Sequence, residues 1–134
     1  MKHLIYYLLF GFSCWCLSSC KPSAVPSYLY IPSFQLDVKP GEGTSSENIT
    51  ELWVYLDEQP LGVFATPALI PIVHEGSGKI KIFAGIKNNG ISDTRIRYPF
   101  FHSFDTSLVF SELSYDTIVP QFEYESSCVI EELG

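Results

Sequence analysis

From residue 28 onward, apolar and polar side chains alternate with a period of two, the signature of strands that bury one face. Residues 28–31 form one β-favouring run, and Pro32 separates it from 34–38, where Phe34, Leu36 and Val38 alternate with Gln35 and Asp37. The clearest strand is 49–56. Leu52, Val54 and Leu56 share the side predicted to face inward, and Glu51, Trp53 and Tyr55 share the other. Asp57-Glu58-Gln59-Pro60 predicts a turn, with 61–64 as the hairpin partner. Pro67 and Pro71 predict an edge strand or extended segment at 68–73, because proline donates no ladder hydrogen bond.

Glu75-Gly76-Ser77-Gly78 reads as a turn, and 79–83 as a strand with Ile80 and Ile82 in the core. Residues 84–99 read as a long irregular stretch, and further strands are predicted at 107–113, 117–119 and 122–124. Beyond the first 20 residues no apolar stripe keeps a helical period. Seven or eight short strands with frequent turns predict a mainly β fold. The architecture expected is an antiparallel β-sandwich, immunoglobulin-like or prealbumin-like, preceded by a cleaved helical signal peptide.

The N-terminus follows a different pattern. Met1-Lys2-His3 precedes an apolar run at 4–12 and a zone of small residues ending at Cys20. That run is too short for a hydrocarbon core of roughly 30 Å, which needs about 20 residues. Leu17-Ser18-Ser19-Cys20 resembles the bacterial lipobox, an aliphatic residue and two small ones before a cysteine. The resemblance implies that residues 1–19 are a lipoprotein signal peptide and that the Cys20 thiol carries a diacylglycerol. The membrane is then the first partner, through lipid on Cys20. Residues 20–27, with Pro22, Pro26 and two serines, read as the lipidated cysteine and a flexible tether. Residues 28–126 read as the β-domain.

Composition narrows the chemistry. All fifteen acidic residues lie after Cys20, against seven Lys and Arg, so a nucleic-acid partner is not expected. Cys14 and Cys16 leave with the leader, and Cys128 is then the only other cysteine, so no internal disulfide is expected.

Leu52-Trp53-Val54-Tyr55-Leu56-Asp57 and Leu61-Gly62-Val63-Phe64 resemble a local pattern of small β-domains in bacterial surface proteins, such as the PEGA type. With Pro67-Ala68, Pro71-Ile72-Val73, the run 85–92 and Arg95-Ile96-Arg97-Tyr98-Pro99-Phe100, the chain is similar to a group of uncharacterised Bacteroidetes lipoproteins. The resemblance spans roughly residues 17–134. It implies an exported β-domain and supplies no catalytic residues. Members of that group continue into a second β-domain, so 127–134 reads as a tail, either the start of a truncated second domain or the end of a naturally short form. The localisation expected is lipid-anchored at the outer membrane. No acidic cluster follows Cys20 to mark surface export, so the periplasmic side and the cell surface both stay open.

Neither His74 nor His102 has a nearby His or Cys, so no metal site is expected, and no cofactor. No G-x-S-x-G is present, and Asp57-Glu58 and Glu131-Glu132 are sequence neighbours, which point to opposite faces of a strand. No catalytic residues are assigned. Asp116-Thr117-Ile118 resembles a Bacteroidetes O-glycosylation motif.

The richest stretch for ligand binding is 88–104. Its candidate residues are Asn88, Asn89, Arg95, Arg97, Tyr98, Phe100 and Phe101. Aromatic faces stack on sugars, while amides and guanidinium groups donate hydrogen bonds. The alternative is that the arginines pair with surface acids and the aromatics cap the sandwich, the commoner use of aromatic clusters. The function expected is a non-enzymatic envelope module that binds or scaffolds another envelope protein, with carbohydrate binding through 88–104 as the second reading.

Overall fold

A computed structural model describes residues 24–40, 49, 51–87 and 94–125. Cys20, Asn88, Asn89, Cys128 and the tail at 127–134 lie outside the described residues. The fold is mainly β, and no helix occurs among the described residues.

Ten strands follow one another: β1 (Ser27–Ile31), β2 (Gln35–Asp37), β3 (Glu51–Leu56), β4 (Gln59–Phe64), β5 (Ala68–Ile72), β6 (Gly76–Lys87), β7 (Arg95–Arg97), β8 (Phe104–Phe110), β9 (Tyr115–Thr117) and β10 (Gln121–Glu123). They form three sheets. The largest runs β4-β3-β6, with β7 and β8 pairing different stretches of β6. A second sheet has the order β5-β1-β9, and β10 pairs with β2 in a third. Proline-bearing β5 sits at an edge, where the donor Pro71 lacks is not required.

Alternation explains the core. Leu52, Val54 and Leu56 of β3 face the same side as their partners Ala84, Ile82 and Ile80 of β6, and all six are buried. Leu29 and Ile31 of β1 and Ile70 and Ile72 of β5 are buried too, and Phe122 of β10 completes a cluster drawing on all three sheets. Each such side chain contributes about 1.5–3 kcal/mol on burial.

Several expectations need correction. Pairing is not purely antiparallel, because β9 runs parallel to β1 and β10 parallel to β2. Gly76-Ser77-Gly78 is no turn: it opens the twelve-residue β6 and pairs with β8. The reason is packing, since a Cβ on Gly78 would lie 2.6 Å from Leu56 Cδ1 and 3.1 Å from the Phe110 ring. The stretch 84–99 is only partly irregular, with 84–87 continuing β6 and Arg95–Arg97 forming β7. The strand expected at 107–113 runs earlier, at Phe104–Phe110, and exposed Leu113 follows it with φ 59°. Ser27, assigned to the tether, is the first residue of β1: it is buried, and its Oγ donates to the Ile72 carbonyl at 3.1 Å.

Candidate functional site

The outer face of the large sheet is where polar and aromatic chemistry converges. Opposite its core-facing residues, β3 presents Glu51, Trp53 and Tyr55. Their register partners on β6 are Gly85, Phe83 and Lys81. Beyond β6, Arg97 pairs with Gly85 and Arg95 with Lys87. Three aromatics, four cations and one carboxylate thus share a face among the described residues, spanning two inter-strand steps of about 4.8 Å each.

Gly85 organises this face. It leaves a gap in the β6 row, and the Trp53 indole lies across it: a Cβ on Gly85 would fall 2.9 Å from both Cδ1 and Nε1 of the ring. Beside it, Tyr55 meets Phe83 edge to face, with centroids 5.6 Å apart. The Arg97 guanidinium carbon sits 4.7 Å from the Phe83 centroid, a cation–π contact. Arg95 Nε meets Glu51 Oε1 at 3.0 Å. The Glu51 side chain is 8% exposed, whereas that of Arg95 is 47% exposed. Two buried polar atoms here have no hydrogen-bond partner: the acceptor Glu51 Oε2 and the donor Trp53 Nε1. Such groups cost free energy unless something satisfies them.

The far end of the face is a charge row. Lys81 reaches Glu58 at 3.2 Å and Asp105 at 3.8 Å, and Lys79 reaches Asp105 at 3.3 Å. Partial desolvation acts to raise the Asp105 pKa. Hydrogen bonds from Ser103 and Lys79, with the charges of Lys79 and Lys81, outweigh it and hold the carboxyl below its ordinary value.

The candidates drawn from 88–104 therefore divide. Arg95 and Arg97 stand on the open face. Tyr98, one residue further on, belongs to the opposite side and packs against the core, its backbone N–H donating to the Ala84 carbonyl at 2.7 Å. Phe101 is a buried core residue, a correction to its assignment as a ligand contact. Its ring lies 4.6 Å from Tyr98, 4.8 Å from Tyr124 and 6.2 Å from Phe122. Phe100 is half exposed and meets Tyr98 at 5.4 Å. Tyr98 and Phe101 thus extend the core while Phe100 stays half exposed, and Arg95 pairs with an acid while Arg97 lies over Phe83.

Trp53, Tyr55 and Phe83 were not singled out from the sequence as site residues. Alternation did put the first two on the solvent side; the register that sets Phe83, Gly85 and Arg97 beside them was not available. Of the remaining motifs, Thr117 lies exposed on β9, His102 pairs with Glu125 at 2.9 Å, and His74 lies 3.9 Å from Asp57. Among the described residues no three His, Cys, Asp or Glu side chains gather into a metal-binding group. Among them no helix is long and apolar enough to cross a membrane.

Comparison with family models, with curated proteins and with solved structures finds no match for this chain. The open face offers stacking, ion pairing and hydrogen bonding, all of them non-covalent chemistry.

Proposed function

We propose that this protein is a non-catalytic binding module of the bacterial envelope, held at the outer membrane by lipid on Cys20. The observation that carries the binding half is the outward row of Trp53, Tyr55 and Phe83, capped by Arg97. Half-buried aromatics beside an arginine are the usual anchors of recognition surfaces. The anchor rests on Leu17-Ser18-Ser19-Cys20, which resembles a lipobox after a short apolar run.

The fold we infer is a β-sandwich. Its support is that alternate residues of the large sheet and of β5-β1-β9 feed one core. The parallel β1–β9 and β2–β10 pairs distinguish it from a purely antiparallel immunoglobulin-like or prealbumin-like order.

Two experiments test the function. Metabolic labelling with an alkyne fatty acid should tag the wild type and not Cys20→Ala; label retained in the variant removes the anchor. For the binding half, Trp15→Phe in the full chain leaves Trp53 as the sole tryptophan. A bacterial envelope fraction should shield Trp53 from acrylamide quenching, and unchanged quenching overturns binding through this face.

A second reading, carbohydrate binding, is favoured by one observation. Three aromatics lie on an open sheet face, where flat stacking on a sugar ring is geometrically simple, rather than in the 88–104 loop alone.

A further inference from the structure

We infer that the outer face of β3, β6 and β7 is a binding site for an acidic glycan, a chain of sugar rings bearing carboxylates. The inference rests on the binding-module reading and gives it a ligand class.

Charge segregation is the first support. The protein carries 15 acidic against 8 basic residues, yet five of its eight Lys and Arg stand on β6 and β7. Lys79 and Lys81 are matched by Asp105 and Glu58 at the far end. At the aromatic end, Lys87, Arg95 and Arg97 lie with one carboxylate among the described residues, that of Glu51. Among the described residues, an otherwise acidic surface therefore holds a patch of net positive charge. It repels polyanions elsewhere and attracts them here, which orients an incoming chain.

Aromatic placement is the second. Trp53, Tyr55 and Phe83 give the patch apolar faces between its cations. A simple anion needs no such surface, whereas a sugar ring presents C–H groups to an aromatic face and its carboxylate to a guanidinium. Arg97 is placed for both, since it lies over Phe83 and is itself exposed.

The third is the pair of unpartnered polar atoms. Glu51 Oε2 lacks a donor and Trp53 Nε1 lacks an acceptor, on residues two apart on one face of β3. A sugar hydroxyl can both donate and accept, the two roles these buried atoms lack. Half-exposed Arg95 holds Glu51 through Oε1, and a ligand carboxylate that pairs with Arg95 competes for that contact.

The test uses the full chain carrying Trp15→Phe and three probes: an oligogalacturonate, neutral cellohexaose and polyglutamate. Oligogalacturonate should shift Trp53 emission saturably, and binding should weaken as salt is raised. Arg97→Gln and Lys87→Gln should each lower its affinity, Arg97→Gln by about ten-fold, with far-UV circular dichroism unchanged. The second variant guards against a packing effect of removing Arg97 from Phe83. Equal affinity for cellohexaose overturns the requirement for acid groups. Equal affinity for polyglutamate overturns the requirement for sugar rings and makes the face a site for acidic peptides. No response to any probe overturns the inference outright, while shielding of Trp53 by an envelope fraction would still stand for the binding module itself.

Discussion

Gly85 and Trp53 compete for one volume: the indole occupies the place where any Cβ at residue 85 would project, with Cδ1 and Nε1 both 2.9 Å from it. The Glu51 carbonyl lies 3.1 Å from the same point. Neither neighbour can retreat easily, since one is a rigid bicycle and the other is backbone in the β3–β6 ladder. Gly85→Ala should therefore cost about 1–3 kcal/mol through overpacking and turn the indole outward. Urea denaturation and a red shift of Trp53 emission measure the two effects. A variant as stable as the wild type with unshifted emission would mean the indole does not lie over Gly85.

The β3–β4 turn carries strain of another kind. Asp57 and Glu58 join the strands with φ values of 46° and 65°, the left-handed region that suits a two-residue hairpin. Asp57 is tied down, its Oδ1 accepting from the Lys79 N–H at 2.8 Å and its own N–H donating to the Lys79 carbonyl at 2.9 Å. Glu58 gains only an exposed contact to Lys81, worth a few tenths of a kcal/mol. Glu58→Gly relieves the left-handed residue and should stabilise the fold by about 0.5–1 kcal/mol. A lower denaturation midpoint in the variant would count against this turn geometry.

What was legible in the sequence followed from period two. Leu52, Val54, Leu56, Ile80 and Ile82 are buried where alternation put them, and Glu51, Trp53 and Tyr55 share the opposite face. What was not legible depended on register between strands distant in sequence. Gly76, Gly78 and Gly85 look like breaks in a run of residues, because glycine more often ends a strand than packs within one. The case for Gly78 and Gly85 becomes visible only when Leu56 and Trp53 are set opposite them. The candidate site divided for the same reason: Arg97 and Tyr98 are adjacent in sequence, but successive strand residues point to opposite sides.

Ser27 ties central strand β1 to edge strand β5 through one buried side-chain hydrogen bond. Its Oγ donates to the Ile72 carbonyl at 3.1 Å, linking β1 to the end of β5, and the residue is 1% exposed. Ser27→Ala should cost about 0.5–1.5 kcal/mol. The measurement is the shift in denaturation midpoint, together with faster hydrogen exchange along β1 and β5. An unchanged midpoint would place Ser27 outside the cooperative unit.

Asp105 makes stability depend on pH in one direction. Its folded-state pKa lies below the ordinary carboxylate value of about 3.9, since Ser103, Lys79 and Lys81 outweigh partial desolvation. A depressed pKa contributes stability in full above the unfolded value, and that contribution is lost as pH falls through the folded one. The group is largely solvated, so the effect is small, less than about 1 kcal/mol. Asp105→Asn should lower the midpoint near neutral pH, and its difference from wild type should shrink as pH falls below about 4. A difference that widens toward acid would show that the Asp105 carboxyl is stabilised in its protonated form.

Phe101 and Tyr55 separate core from binding surface. Phe101 packs among Tyr98, Tyr124 and Phe122, and Phe101→Ala should cost about 3–5 kcal/mol, a large share of a small domain's stability. Phe101→Leu keeps most of the volume, should cost less than about 1.5 kcal/mol, and leaves a folded protein to assay. Tyr55 stands on the open face against Phe83, and its edge-to-face contact is worth about 0.5–1.5 kcal/mol. If the large sheet's outer face is the binding surface, Phe101→Leu keeps the shielding of Trp53 by an envelope fraction and Tyr55→Ala loses it. The reverse result would return the binding surface to the aromatics after Arg97, and Trp53, Tyr55 and Phe83 would then be packing that happens to face solvent.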